Sequence, residues 1–97
     1  VAVVAAAITL EEEDEIMVIA QTSLWYIGGK SDKVYVITAI DTNGVVTVKA
    51  EWGRRGKTMQ SQIKVVTSRP EAMNEFYSLR ASKVAKGYRV VASASTI

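Results

Sequence analysis

The stretch 34–52, VYVITAI-DTNG-VVTVKAEW, constrains the fold more than any other part of the sequence. Both flanks are dense in β-branched and aromatic residues, which fit a pleated, half-buried surface. Between them, Asn43 and Gly44 tolerate positive φ at low cost, as a tight strand reversal requires. The period of two places Val46, Val48, Ala50 and Trp52 on one face of the return strand. Val45, Thr47, Lys49 and Glu51 take the other. A hairpin of this kind belongs to an antiparallel sheet, and the sheet needs a second layer to cover its apolar face.

The remaining segments supply both. Residues 16–20 and 24–27 read as short strands, with Gln21-Thr22-Ser23 between them and Gly28-Gly29 after them as turns. A glycine-bearing basic loop over 53–61 leads to a further short strand over 62–66. Ser68 is a helix cap, Pro70 fits a first turn and Glu71 completes a capping box. The helix then extends to about Ala85, with Ala72, Met73, Phe76, Leu79 and Val84 as its apolar stripe. Gly87 ends it, and Lys83 and Lys86 complement its dipole. Residues 88–91 form a last strand. The expected class is α+β: an antiparallel sheet of about five strands with one helix packed on a face. A chain of 97 residues makes one domain. The expected division is a flexible apolar and acidic leader over 1–15, the domain over 16–91 and a tail over 92–97.

Composition narrows the function. The chain has no cysteine and no histidine. That removes disulfides, thiolate sites, the commonest metal ligand and the commonest general base. No catalytic residues, cofactor or metal are expected. Gly56-Lys57-Thr58 ends as a phosphate-cradling loop does, but the upstream glycine that motif needs would fall on Glu51. Residues 1–40 carry a net charge of −4 and residues 41–97 a net +6. A basic C-terminal part attracts polyanions, nucleic acid above all. The apolar run over 1–10 is far short of the ~20 residues of a membrane-crossing helix and lacks a preceding basic region. The expectation is an intracellular protein with no membrane partner and no assigned compartment.

The chemistry-bearing stretch is Trp52-Gly53-Arg54-Arg55-Gly56, followed by Gln60-Ser61. It sits at the end of a strong strand, follows Tyr35 by a hairpin and precedes a capped helix ending in Lys-Gly-Tyr. That layout, over residues 16–91, resembles the WGR domain, a module of poly(ADP-ribose) polymerases and of small bacterial proteins. Residues 31–35 look like the entry to the family's first long strand, 49–56 are similar to its signature, and 60–64 to the strand that follows. The resemblance implies an antiparallel sheet with one helix. In the polymerases the module binds DNA near strand breaks, with the motif tryptophan on a terminal sugar. The motif arginine there contacts DNA or a neighbouring domain. Trp52 and Arg54 inherit those roles by resemblance, while polymerase activity does not carry over. Met59 departs from the glycine that many members have there, which predicts a different turn of the loop.

The residues support the same chemistry on their own. Arg54, Arg55 and Lys57 can neutralise phosphates, and Lys64 extends the patch. Gly53 and Gly56 let the backbone come close to a phosphate. Trp52 can stack on a base or sugar, yet it shares strand parity with Val46 and Val48 and serves equally as a core residue. Arg54 can instead fasten the loop through carbonyls or a carboxylate. The expected nucleic-acid site is Trp52, Gly53, Arg54, Arg55, Lys57, Gln60 and Lys64, with DNA favoured over RNA and a preference for strand ends. The alternative is a protein-interaction or scaffold module in a larger assembly. There an edge strand or the apolar run over 1–10 pairs with another chain, and the acidic run 11–15 steers a basic partner or covers the protein's own basic face.

Overall fold

A computed structural model gives the fold and describes residues 16–95. The elements are β1 (Ile16–Gly28), β2 (Ser31–Thr42), β3 (Val45–Arg54), β4 (Gln60–Val66), α1 (Arg69–Ala85) and β5 (Arg89–Ser95). The strands form one sheet in the order β4-β3-β2-β1-β5, and every neighbouring pair is antiparallel. The architecture is α+β. The first four strands meander, and β5 returns after the helix to the free edge of β1.

The β2–β3 hairpin forms where its residues require it. Thr42 pairs with Val45, and Asn43 and Gly44 take φ of 53° and 88°. Positive φ at both central positions matches the right-handed twist of the flanking strands. Asp41 adds a side-chain clasp, accepting from the Gly44 N–H at 2.8 Å.

The expectations for β1 and for the tail are corrected. Gln21-Thr22-Ser23 is not a turn, because β1 is continuous through it. Thr22 is fully buried, and its hydroxyl meets Ser93 Oγ at 2.8 Å and lies 3.3 Å from the Ala92 carbonyl. Gln21 donates from Nε2 to Thr38 Oγ1 at 3.0 Å. Polar residues therefore sit inside the sheet with partners supplied by distant segments. The second correction concerns the tail: β5 continues through Ala92–Ser95, in register with residues 20–23 of β1.

Alternate residues of the strands build the core. Ala20 and Leu24, Tyr35, Ile37 and Ala39, Val46, Val48 and Ala50, and Val66 share one buried cluster with Ala72 and Phe76 of α1. Ile19 joins them through a bulge, where Val18 pairs with Ile40 and Ala20 with Ala39. We call this the core side of the sheet and the opposite one the far side. Ser68 caps α1, its Oγ accepting from the Glu71 N–H at 3.2 Å, a contact worth about 1 kcal/mol. Glu71 reaches back one residue further than a capping box does, accepting from the Thr67 N–H. Met73 and Leu79 are partly buried against the core. Val84, expected in the apolar stripe, is exposed, because it stands one position past Lys83 on the row of 72, 76, 79 and 83 that α1 turns towards the sheet. Among the described residues no helix is long and apolar enough to cross a membrane. The leader over 1–15 lies outside the described residues.

Candidate functional site

The site grows from the sheet register at the end formed by the β1–β2 turn and the β3–β4 loop. Tyr35 pairs with Trp52 and Lys33 with Arg54 across β2 and β3. Tyr26 pairs with Lys33 across β1 and β2. All five share the parity of the core side. Trp52 stacks on Tyr35 with ring centres 5.8 Å apart and planes 18° apart. Tyr88, just before β5, meets Tyr35 edge-on at 6.1 Å and Tyr26 at 5.6 Å. The four rings make a continuous aromatic row across three strands, and each such pair contributes about 0.5–1.5 kcal/mol beyond area burial.

Cations surround this row. The C-terminal turn of α1 brings Lys83, whose Nζ lies 4.6 Å from the centre of the Tyr35 ring. Lys86 follows at the C-cap. Lys33, Lys83 and Lys86 line a cleft of about 390 Å³ with Tyr26, Ser31 and Tyr88. No carboxylate pairs with any of these lysines among the described residues. Burial, and then the charge of Lys86, holds the Lys83 ammonium below the usual lysine range. Burial also pushes the Tyr35 hydroxyl up, with a smaller push from Tyr88. Gly87 takes a φ of 105°, and a Cβ there would come within 2.9 Å of the Tyr26 ring. The glycine both ends the helix and leaves room for that wall of the cleft.

The structure distributes the residues picked from the sequence. Trp52 is partly buried, packed against the core on the Tyr35 stack while part of it stays open. The ring is thus partly a core residue and partly a surface one. Arg54 is exposed on the same side, and its Nη1 donates to the Lys30 carbonyl at 3.1 Å, which ties β3 to the β1–β2 turn. Gln60 pairs with Trp52 from β4. Lys57 is exposed in the loop. Gly53 pairs with Val34, and a Cβ there would lie 3.2 Å from the Thr58 carbonyl oxygen and 3.4 Å from Met59. Met59, the departure from the family pattern, thus sits against the glycine of the motif. Gly56 turns the loop with a φ of 83°.

Two of the basic residues are already engaged elsewhere. Arg55 lies on the far side, bound to Asp32 through Nε at 3.2 Å and Nη2 at 3.1 Å, with its guanidinium 4.3 Å from the centre of the Trp25 ring. Asp32 also accepts from Trp25 Nε1 at 2.8 Å. Those hydrogen bonds, Trp25 first and then Arg55, hold the Asp32 carboxyl below the usual carboxylate range. Lys64 lies farther along β4 and pairs with Glu75 of α1 at 3.1 Å. Sequence reasoning did not place Lys33, Lys83, Lys86, Tyr26 and Tyr88 in the site. They come from three separate parts of the chain, and no local spacing joins them. Among the described residues no group of three or more His, Cys, Asp or Glu side chains is arranged to hold a metal ion.

A five-stranded antiparallel sheet, one helix and an open aromatic–cationic end define a small module of the binding type. The chain belongs to the WGR domain family: the family profile matches residues 21–95, nearly all of the described structure. No curated protein and no solved structure matches the chain.

Proposed function

We propose that this protein is a small, non-catalytic nucleic-acid-binding module, with DNA its preferred ligand. One observation carries the reading. Lys33, Arg54, Lys83 and Lys86 converge around the Trp52–Tyr35–Tyr88–Tyr26 row, at the motif that names the family, with no carboxylate paired to the lysines among the described residues. Cations of this kind release counterions when they meet phosphates, and exposed ring surface adds stacking on a base or sugar. Trp52 and Arg54 keep the roles the resemblance implied. Lys33, Lys83 and Lys86 take over the charge that Arg55 and Lys64 spend on Asp32 and Glu75. A ring open to stacking favours strand ends, where a terminal sugar or base is uncovered.

Titrating the isotope-labelled protein with a short duplex tests this. The expected amide shifts fall on residues 31–35, 52–54 and 83–89. Shifts confined to the far side, or none at low salt, overturn the reading.

A second reading, a protein-interaction module, rests on a different observation. Ile16, Val18, Val45, Ile63 and Val65 are exposed on the sheet, and the register groups them with Ile40 at the hairpin end. Clustered exposed apolar residues mark contact surfaces. Sedimentation at rising concentration separates the readings: a mass that grows and is restored to monomer by Val65→Asp supports the second.

A further inference from the structure

A second opening lies beside the cationic cleft, on the other side of β1. Trp25, Ile27, Gly87, Arg89, Val90 and Val91 line a pocket of about 340 Å³. That volume is in the range of small-ligand sites, and its walls are mostly apolar with one aromatic ring and one guanidinium. The two openings interleave along the chain. Tyr26 lines the cleft, while its neighbours Trp25 and Ile27 line the pocket. Tyr88 lines the cleft, while Gly87 and Arg89 line the pocket. Arg89 has no carboxylate partner among the described residues. Among the described residues β5 is an edge strand, with no further strand beyond it.

A cationic surface and an apolar, partly aromatic pocket thus meet around one edge of the molecule. A nucleotide carries the two matching parts: an anionic phosphate and a flat base with a largely apolar face. We propose that the pocket takes an unpaired base from a strand whose phosphates lie on the Lys33–Lys83–Lys86 cleft. This rests on the nucleic-acid reading above and goes further, naming the ligand as a duplex end with a short single-stranded overhang. A paired base is stacked inside its helix and cannot enter a pocket without leaving it. The cleft and the pocket also open on opposite sides of β1, so the bound strand turns around the sheet edge. A single strand makes that turn readily, whereas a duplex resists bending on so short a scale. Trp25 is braced for stacking by Asp32 on its Nε1 and by Arg55 on its ring, and Arg89 lies beside it in the β1–β5 register.

Fluorescence anisotropy tests the proposal with a blunt duplex and the same duplex carrying a short 3′ or 5′ overhang. One overhang is expected to bind about tenfold tighter than the blunt end, the gain of stacking one base. Val91→Glu and, separately, Ile27→Glu place a carboxylate at the pocket on side chains that are exposed in the fold. Each is expected to bring the overhang down to the affinity of the blunt duplex, with melting curves confirming that the variant is folded. Equal affinity of wild type for blunt and overhung duplexes overturns the base pocket and leaves the nucleic-acid reading standing. So does an overhang preference that survives both variants. Failure to bind any of the duplexes overturns both.

Discussion

Asp32 joins three parts of the motif end at once. Its carboxylate accepts from Trp25 and Arg55, and its backbone carbonyl accepts from the Arg55 N–H at 2.9 Å. Asp32→Asn keeps an acceptor for Trp25 and removes the charge that holds Arg55. The variant is expected to melt at a lower temperature than wild type at neutral pH. Asp41, held low by Arg69, and Glu71, held low by Thr67, act in the same sense. A carboxyl lowered in the folded state stabilises it above the unfolded pKa and loses that contribution as pH falls through the folded one. Stability should therefore hold steady down to about pH 5 and fall below about pH 4, with a shallower fall for Asp32→Asn. Parallel pH curves for the two proteins would contradict this role. Lys83 carries the opposite sign. Burial and Lys86 disfavour its ammonium in the free protein, so a bound phosphate should restore it. The Lys83 side-chain carbon shift should titrate at a higher pH in the complex than in the free protein; an unchanged midpoint places the phosphate elsewhere.

At the level of elements, Gly87 couples the helix end to the site. Gly87→Ala strains a positive φ and drives a methyl group against the Tyr26 ring. A loss of more than about 1 kcal/mol in stability is expected from the backbone alone. Duplex binding should also weaken, because that ring walls the cleft. Denaturant unfolding and anisotropy measure the two, and a fully stable variant would contradict the contact. The β2–β3 hairpin and the capped helix were legible in the sequence because each is written locally, in Asn43-Gly44 and in Ser68, Pro70 and Glu71. The middle of β1 and the end of β5 were not. Thr22 reads as turn-forming until Ser93 supplies its partner 71 residues away. Ala92–Ser95 has no strand signal of its own and extends only because β1 offers an edge. The site shows the same division. Trp52 and Arg54 enter the candidate site from the motif alone, whereas Lys33, Lys83 and Lys86 gather beside them only once register and helix packing are set. Arg55 and Lys64 looked available because their partners, Asp32 and Glu75, stand 23 and 11 residues away.

Across the whole molecule the charge is polarised. Residues 16–97 hold all twelve Lys and Arg against five Asp and Glu, a net charge of +7, and residues 11–15 hold the other five carboxylates. Ile16, to which that acidic run is joined, begins β1 at the hairpin end. Gly28, beside the cationic cleft, ends the same strand about 40 Å away. On the function proposed above, the net positive field of residues 16–97 steers a polyanion towards the cationic end. The central claim, that this end holds phosphates, is tested most directly by the salt dependence of duplex affinity. Wild type should be compared with Lys83→Glu/Lys86→Glu, and with Lys64→Ala/Glu75→Ala as a control that removes an internal ion pair. With four or so phosphates neutralised, the logarithm of the wild-type affinity should fall against the logarithm of salt with a slope of about −4. The charge reversal should weaken binding and make the slope shallower by about two, while the control matches wild type. A flat wild-type response, or the same affinity and slope in the folded Lys83→Glu/Lys86→Glu variant, would contradict the claim.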